Sequence, residues 1–277
     1  MRIVTPAKIN LTLEVLQRRP DGFHELATWM VPIAVFDALE IEVQAGDDSF
    51  SVNVPELKAN ENNLIFRAIS RFRSATGIDV RYRVRLAKEI PLGAGLAGGS
   101  SDAAATLRLL GRIHPGTLSS AQLEKIGAEI GSDVVFFLNP RPAWCTGRGE
   151  KIEPRGFPDR LWVCLFKPGF SVSTADAYSV YDKLQEKRGD VVTTPWGDFR
   201  NDLEPVVFLK FPLLAVIKGW LAEQPESICA LMSGSGSTVF AVTKTETEGG
   251  ALERRFLSEF GGEFWTTVCR LNPPLEG

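Results

Sequence analysis

The chain has 277 residues, of which 44% are hydrophobic and 23% are charged, as in an average soluble globular protein. Its formal net charge of -3 gives no bulk attraction for nucleic acid or for an anionic membrane, so neither is expected as a partner. At roughly 150 residues per domain, this length favours about two domains.

Four cysteines are spaced widely along the chain: Cys145, Cys164, Cys229 and Cys269. Their spacing matches no metal or redox motif, and three lie in apolar, strand-like runs, which is typical of buried, reduced thiols. The N-terminus lacks the long apolar run of a secretory signal. The longest mainly apolar stretch, residues 29–36, is shorter than the roughly 20 residues of a membrane helix. We therefore expect a cytoplasmic protein.

The N-terminal half alternates between strand-like and helix-like patterns. Alternating apolar and polar residues predict a strand over residues 9–15 and two shorter strands at 39–43 and 50–54. Apolar residues at helical spacing predict a helix over 62–75 that ends before Gly77.

Residues 80–87 alternate apolar side chains with arginines, which indicates a strand with one buried and one basic face. A glycine-rich loop and a helix over 100–112 follow. Ser119 and Gln122 then form a capping-box pattern before a helix that ends near Gly131.

Further elements follow in order: a helix start at 131–133, strands at 143–152 and 161–166, helices at 173–184 and 202–222, a strand–glycine loop–strand unit at 228–243, a helix, and a last strand near Trp265. Because strands and helices lack regular βαβ alternation, the sequence favours an α+β fold with largely antiparallel sheets. We place the domain boundary at the segment RGFPDR, which gives domains 1–156 and 157–277.

The glycine-rich segment IPLGAGLAGGSSDAAATLRLL matches the G-x-G-x-x-G fingerprint of dinucleotide-binding folds at Gly93, Gly95 and Gly98. The preceding strand alternates in polarity, however, and no acidic residue ends a strand about 20 residues later, so that interpretation is disfavoured. A phosphate held at the helix N-terminus fits better, with the hydroxyls of Ser100 and Ser101 able to reach phosphate or magnesium. A tight turn without a ligand is the alternative.

Three segments resemble motifs of the GHMP small-molecule kinases. PLGAGLAGGSSDAAA resembles the second motif of that family, and MSGSGSTVFAV resembles its third motif. PAKINLTLEVLQRRPDGFHEL is similar to the first motif of the branch that phosphorylates a cytidine diphosphate derivative of methylerythritol in non-mevalonate isoprenoid synthesis. The resemblance implies a two-domain GHMP kinase fold with an active-site cleft between the domains, and ATP-dependent phosphorylation of a hydroxyl.

The resemblance also implies catalytic residues. Phosphoryl transfer to an alcohol requires positioning, charge stabilisation and a base. By resemblance, Asp133 is the base and Lys8 is its electrostatic partner. Asn10 shares a strand face with Lys8 and is expected to bind substrate. From the residues alone, a helix-start aspartate and a solvated strand-start lysine would be the more common explanations.

For the substrate, the resemblance implies that Phe23 and Tyr178 enclose the cytosine ring and that His24 reads the base edge. Packing roles are the alternative for all three. Other expected substrate residues belong to a predicted helix start and to the second glycine loop, which is otherwise a hairpin-like turn: Thr174, Gly234 and Ser235.

For ATP, the first glycine loop is expected to hold the phosphates, and two other residues are expected to line the nucleoside pocket. The loop residues are Pro91, Leu92, Gly93, Ala94, Gly95, Leu96, Ala97, Gly98, Gly99, Ser100 and Ser101, and the two others are Asn63 and Lys88. Mg2+ is implied by the reaction and is expected to rest on phosphates and a serine hydroxyl, that of Ser100, without a carboxylate cage. Asp102 is expected either to point away from the phosphates or to help with magnesium.

Three other functions compete with this interpretation. A homoserine or mevalonate kinase is disfavoured by the segment RRPDGFHEL, and a dinucleotide-dependent oxidoreductase by the missing parallel strands. A non-catalytic binding protein would be expected to lack Lys8 or Asp133, and the chain has both.

Overall fold

The computed structural model describes residues 1–158, 160–184 and 188–275. Within them, one sheet contains β1 (Arg2–Arg18), β2 (His24–Gln44), β3 (Ser49–Val52), β4 (Arg81–Ala87), β5 (Ala143–Gly147) and β6 (Lys151–Pro154). The strand order is β3-β4-β2-β5-β6, and β1 pairs along β2. Among these described strands every pairing is antiparallel except that of β3 with β4.

The C-terminal part of the chain forms a second antiparallel sheet and a separate small hairpin. Its strands are β7 (Trp162–Pro168), β8 (Val192–Thr194), β9 (Gly197–Phe199), β10 (Cys229–Met232), β11 (Val239–Thr243) and β12 (Phe264–Arg270). The sheet has the order β10-β11-β7-β12, and β8 pairs with β9. The α+β fold with largely antiparallel sheets is therefore confirmed. The boundary after residue 156 falls between β6 and β7 and stays a prediction.

The described helices are α1 (Leu64–Thr76), α2 (Gly98–Ile113), α3 (Ser120–Ile130), α4 (Ser132–Leu138), α5 (Thr174–Tyr181), α6 (Glu204–Lys210), α7 (Pro212–Ala222) and α8 (Glu246–Phe260). The predicted capping box of Ser119 and Gln122 is present at α3, and Gly77 ends α1 in the left-handed conformation. In the described part of the chain, no helix combines the length and the hydropathy needed to cross a membrane.

The predicted strands at 9–15 and 39–43 are parts of a longer pair, because β1 and β2 run beside each other along nearly their whole lengths. The N-terminal part of β2 also pairs with β5, and its C-terminal part with β4. Residues 5–13 are buried throughout. Ile9 and Leu11 belong to the core, whereas Lys8 and Asn10 on the opposite face line a cavity.

Several element boundaries differ from the prediction. The helical run 202–222 divides into α6 and α7, because Pro212 cannot continue the hydrogen bonding of a helix. The strand predicted at 143–152 is the hairpin β5–β6, and the helix after Ser173 ends at Tyr181. The short hairpin β8–β9 has no counterpart among the predicted elements.

The four cysteines are free and buried, as predicted, and burial raises the pKa of Cys145 to about 12.

One apolar cluster joins the two sheets. It includes Ile9 and Val31 from the first sheet and Leu165 and Phe240 from the second, all with no exposed surface. Ala94 from the first glycine loop packs into the same cluster. Packing between the sheets therefore also fixes the position of the loop.

We predict that Leu165→Ala lowers the free energy of unfolding by about 2–5 kcal/mol, because it leaves a cavity in this shared cluster. Leu209→Ala is the matched control, since Leu209 is 69% exposed and should change stability by no more than about 0.5 kcal/mol. Urea unfolding measures both values. Equal effects of the two substitutions would contradict the assignment of Leu165 to the core.

Candidate active site

A cavity of about 910 Å3 is lined by residues of β1, the start of β2, α4, α5 and both glycine loops. This volume lies in the range of small-molecule sites. The cavity brings together Lys8 and Asp133, which are 125 positions apart in the sequence, and the aromatic residues Phe23 and Tyr178. The predicted catalytic and substrate residues therefore line one space.

Lys8 is buried at the centre of this cavity wall. Its ammonium Nζ donates to Asn10 Oδ1 at 2.7 Å and to the carbonyl of Gly95 at 3.2 Å, and it lies 3.6 Å from Asp133 Oδ2. Its side chain is 5% exposed, and that of Asp133 is 28% exposed. The carboxylate is thus accessible from the cavity while the cation is held behind it.

Asn10 is fixed by a chain of hydrogen bonds within the first sheet. Its amide nitrogen donates to Thr28 Oγ1 at 2.7 Å, and the Thr28 hydroxyl donates to the carbonyl of Thr12 at 2.7 Å. This orientation leaves the Asn10 oxygen as an acceptor for Lys8. Asn10 therefore positions the ammonium as well as lining the cavity.

The first glycine loop lies where α2 begins. Gly93, Gly95 and Ala97 adopt left-handed backbone conformations, and Ala97 is the N-cap of α2 without a side-chain capping bond. The donors at the start of this helix thus have no capping side chain and are suited to an anion. Most of the predicted phosphate residues line the cavity: Pro91, Leu92, Gly93, Ala94, Gly95, Ala97, Gly98, Gly99 and Ser100.

Leu96 and Ser101 do not line the cavity. Leu96 is buried in the core, and the Ser101 hydroxyl donates to the carbonyl of Pro6 at 2.6 Å. Ser101 therefore holds α2 against β1, and the hydroxyl of the neighbouring Ser100 is the one at the cavity wall.

The two glycine loops are in direct contact. The Ser233 hydroxyl donates to the carbonyl of Gly95 at 3.0 Å, and a Cβ atom at Gly95 would lie only 2.1 Å from the carbonyl oxygen of Ser233. Asn201 fixes the second loop by donating to the carbonyls of Met232 and Gly234, each at 2.7 Å. The close approach explains why Gly95 has no side chain.

Lys88 lines the cavity at its edge, but its ammonium is held by two carboxylates. It contacts Asp37 Oδ2 and lies 3.0 Å from Asp102 Oδ2, and all three side chains are almost fully buried. Asp37 Oδ1 also accepts the backbone N–H groups of Glu89 and Ile90. Asp102 therefore points away from the loop, toward Lys88, which is one of the two orientations expected.

Burial, and after it the nearby carboxylate of Asp37, raises the pKa of Asp102 to about 7 against the opposing effect of the Lys88 ammonium. Asp102 Oδ1 has no hydrogen-bond partner among the described residues. When Asp102 is protonated, Asp37 alone carries a negative charge, and this charge balances the ammonium of Lys88.

Asn63 lies outside the cavity lining. Its side-chain oxygen accepts the N–H of Ile65 at 3.0 Å as the N-cap of α1, and its nitrogen donates to the carbonyl of Lys58 at 3.1 Å. The nucleotide contact expected for Asn63 stays a prediction, and the capping role is the one that its contacts support.

Aromatic side chains line the other end of the cavity. The His24 ring stacks on Tyr178 with centroids 5.1 Å apart, and His24 Nε2 lies 2.7 Å from Asp182 Oδ1. Phe23 is 52% exposed, and the guanidinium of Arg148 lies over its ring at 4.9 Å. Burial raises the pKa of the Tyr178 hydroxyl, which stays protonated.

Thr174 and Ser235 join α5 to the second glycine loop, because their hydroxyl oxygens lie 2.8 Å apart. Gly234 is next to Ser235, and a Cβ atom there would lie 3.6 Å from Lys8 Nζ. All three line the cavity, so they connect the aromatic end with the Lys8–Asp133 pair.

The donors at the cavity suit a magnesium ion that is held mainly by phosphates. No group of three or more His, Cys, Asp or Glu side chains among the described residues is arranged to hold a metal ion. Ser100 supplies a hydroxyl at the cavity wall, and Asp102 is engaged by Lys88. Magnesium commonly takes one or two protein ligands beside substrate phosphates, so a single serine hydroxyl fits it.

Two family models match the chain. The model described as GHMP kinases N terminal domain matches residues 63–140, and the model described as GHMP kinases C terminal matches residues 192–262. The first range contains the first glycine loop and Asp133, and the second contains the second glycine loop.

Among similar proteins, 4-diphosphocytidyl-2-C-methyl-D-erythritol kinase from Methylacidiphilum infernorum (isolate V4) is 42% identical over 87% of this chain and 85% of its own length. The protein of the same name from Bacillus subtilis (strain 168) is 38% identical over 90% of each chain. The chain belongs to the 4-diphosphocytidyl-2-C-methyl-D-erythritol kinase family of GHMP kinases.

Solved structures agree with this family membership. A crystal structure of 4-(cytidine 5'-diphospho)-2C-methyl-D-erythritol kinase has a TM-score of 0.80 and 31% identity, with all of both chains covered. Homoserine kinase from Cytophaga hutchinsonii has a TM-score of 0.66 at 14% identity, which shows a shared fold alone. As a member of this family, the chain is a kinase. GHMP kinases use ATP as the phosphate donor.

Four residues in or near the candidate site have no counterpart among the residues predicted from the sequence: Asp37, Arg148, Asp182 and Asn201. Asp37 lies within a strand and Asn201 within a polar segment without a motif, so no local pattern distinguishes them. Asp182 is the C-cap of α5, one turn after Tyr178, and this helical spacing is a signal that could have connected it with the aromatic end.

We predict that the free energy of unfolding of Asp102→Asn, relative to that of the unmodified chain, is higher at about pH 8 than at about pH 5. Because the folded-state pKa lies near 7, above the ordinary 3.8, folding retains a proton on this carboxyl between these values. Its contribution to stability is fully present below pH 3.8 and is lost as the pH rises through about 7. Urea unfolding at both pH values measures the difference.

Asp176→Asn is the control for this experiment, since the Asp176 side chain is 60% exposed. A stability difference between Asp102→Asn and the unmodified chain that is the same at both pH values would contradict the raised pKa.

Proposed function

We propose that this chain transfers the γ-phosphoryl group of ATP to a hydroxyl of 4-diphosphocytidyl-2-C-methyl-D-erythritol and gives the 2-phosphate, a step of non-mevalonate isoprenoid precursor biosynthesis. The observation that carries this proposal is the 3.6 Å Lys8–Asp133 pair between an uncapped helix start and an aromatic end in one cavity. The identity of the acceptor is inferred from the names of the relatives.

At the donor end, the phosphates of ATP lie against the N–H groups at the start of α2. These donors and the positive end of the helix dipole favour phosphate without a charged side chain in the loop itself. Ser100 would hold Mg2+, which supplies positive charge to the phosphates when it is bound. Asp37, which is paired with Lys88, accepts two backbone N–H groups just before the loop, so the donors are in place before ATP arrives.

At the centre, Asp133 accepts the proton of the acceptor hydroxyl, and Lys8 stabilises the negative charge that develops there. The carbonyl of Gly95 and the oxygen of Asn10 orient the ammonium, so it can act as a fixed charge that needs little reorganisation. General base catalysis of this kind contributes roughly 10²–10⁴-fold to the rate.

At the acceptor end, Phe23 and Tyr178 form the walls of the cytosine site, and His24 reads the base edge. The exposure of Phe23 to the cavity supports this assignment, because an aromatic face is available for stacking. The contact of His24 with Asp182 restrains the imidazole ring. Thr174 and Ser235 lie between this end and Lys8, where they can contact the diphosphate or the methylerythritol part.

A panel of acceptors tests the proposal. The protein is incubated with Mg2+ and ATP and with 4-diphosphocytidyl-2-C-methyl-D-erythritol, homoserine or mevalonate, and ADP release is followed. We expect turnover with the cytidyl compound alone. Turnover with homoserine or mevalonate and none with the cytidyl compound would overturn the proposed acceptor.

The cytoplasmic location expected from the sequence stays a prediction.

We predict that Asp133→Asn lowers kcat by about 10²–10⁴-fold and leaves ATP binding nearly unchanged, because the amide cannot accept the hydroxyl proton. Steady-state kinetics and ATP titration measure the two effects. Asp79→Asn is the control, since the Asp79 side chain is 77% exposed on the surface. A kcat close to that of the control would remove Asp133 from the role of base.

We predict that Phe23→Ala raises KM for the cytidyl compound by roughly 5- to 150-fold, the equivalent of losing about 1–3 kcal/mol of stacking. KM for ATP should stay unchanged, since Phe23 lies away from the first glycine loop along the cavity. Leu16→Ala, at a side chain that is 57% exposed and does not line the cavity, is the control. An increase confined to KM for ATP would show that the aromatic assignment is wrong.

A further inference from the structure

A second cavity, of about 270 Å3, shares no lining residue with the first. Its wall is formed by β1, the last turns of α2, the turn after α4 and the segment after β12. Arg108 lies ten residues after Gly98, so the helix rise places it about 15 Å from the glycine loop. The cavity is therefore separate from the site of phosphoryl transfer.

The charged residues that line this cavity are both arginines, Arg108 and Arg141. Arg108 is partly buried and makes no hydrogen bond or ion pair with any residue that the structure describes. Burial and the neighbouring Arg112 lower the pKa of Arg108. A partly buried cation without a counter-charge is unfavourable, and an anion in the cavity would remove that penalty.

The remaining polar groups of the cavity leave room for such an anion. Arg141 Nη2 donates to Asn139 Oδ1 at 2.9 Å, which occupies only part of its guanidinium. Asn272 has a left-handed backbone, with φ of 53°, and is held by the carbonyls of Pro32 and Phe157. The part of the cavity wall at Asn272 is thus held in place before a ligand binds.

We propose that this cavity binds the phosphate group of a small organic phosphate, with Arg108 and Arg141 as its cationic contacts. Planar guanidinium groups match phosphate oxygens in geometry and charge. Pro6, Pro140 and Leu275 form an apolar wall for a short carbon chain. The volume lies at the lower limit of small-molecule sites, so the ligand is smaller than a nucleotide. This site does not depend on the proposed kinase reaction.

Calorimetric titration with butyl phosphate tests this site in three proteins: the unmodified chain, Arg108→Met and Arg112→Met. Methionine keeps an unbranched apolar side chain but removes the charge. Arg112 is exposed on the same helix and does not line the cavity, so its variant is the matched control. Phosphate bound at the glycine loop contributes equally in all three proteins, so the second cavity is measured as the binding that Arg108→Met loses relative to the unmodified chain.

We expect Arg108→Met to bind butyl phosphate about tenfold or more weakly than the unmodified chain, as for a lost charged hydrogen bond. Arg112→Met should bind within about twofold of the unmodified chain, because exposed charges are screened. Inorganic phosphate should bind more weakly than butyl phosphate. Equal affinity of the unmodified chain and Arg108→Met, or no binding to the unmodified chain at millimolar concentration, would overturn the proposal.

Thermal unfolding gives a second readout that also checks folding. Without phosphate, Arg108→Met should unfold at the same temperature as the unmodified chain or at a higher one, because an unpaired cation is removed. Butyl phosphate should raise the midpoint of the unmodified chain and of Arg112→Met by more than it raises that of Arg108→Met. Equal increases in all three proteins would contradict the site. If Arg108→Met does not fold, Arg141→Met, at an exposed position, takes its place in both measurements.

Discussion

The proposed active site depends on the contacts of one buried cation, the ammonium of Lys8. A cation in this position requires oxygen acceptors around it, and they come from three parts of the chain: Asn10 on the same strand, the carbonyl of Gly95 in the first glycine loop, and Asp133 on α4. Satisfying one charge therefore fixes the distance between the strand, the loop that is proposed to hold phosphate, and the proposed base. The electrostatic requirement of the fold and the geometric requirement of the reaction coincide at this residue.

The second constraint is the close approach of the two glycine loops. Gly95 lies in the loop after β4 of the first sheet and Ser233 in the loop after β10 of the second, and no side chain fits between their backbones. The apolar cluster shared by the sheets brings the loops together, and Asn201 holds the second loop by its carbonyls. The proposed phosphate donors and the proposed substrate residues therefore lie on one wall, and their relative positions depend on the packing between the two sheets.

Much of this arrangement could be predicted from local patterns. The capping box at Ser119, the stop at Gly77 and the helix start before Asp133 are short-range signals, and the structure contains all three. The contact of Asp102 with Lys88 could not be predicted, because it depends on how α2 packs against β2 and the end of β4. Ser100 and Ser101 look equivalent in the sequence, but only the helix phase decides that one lines the cavity and the other bonds to Pro6. Long-range pairing, which sets these differences, has no local signature.

The reacting atoms are proposed to meet at the Lys8–Asp133 pair, and this is the central claim. A crystal structure with a non-hydrolysable ATP analogue and the cytidyl acceptor tests that claim most directly. We expect the phosphates against the backbone N–H groups at the start of α2 and the acceptor hydroxyl within hydrogen-bonding distance of Asp133, with Lys8 beside it. A complex in which the acceptor hydroxyl or the terminal phosphate lies away from the Lys8–Asp133 pair would contradict it.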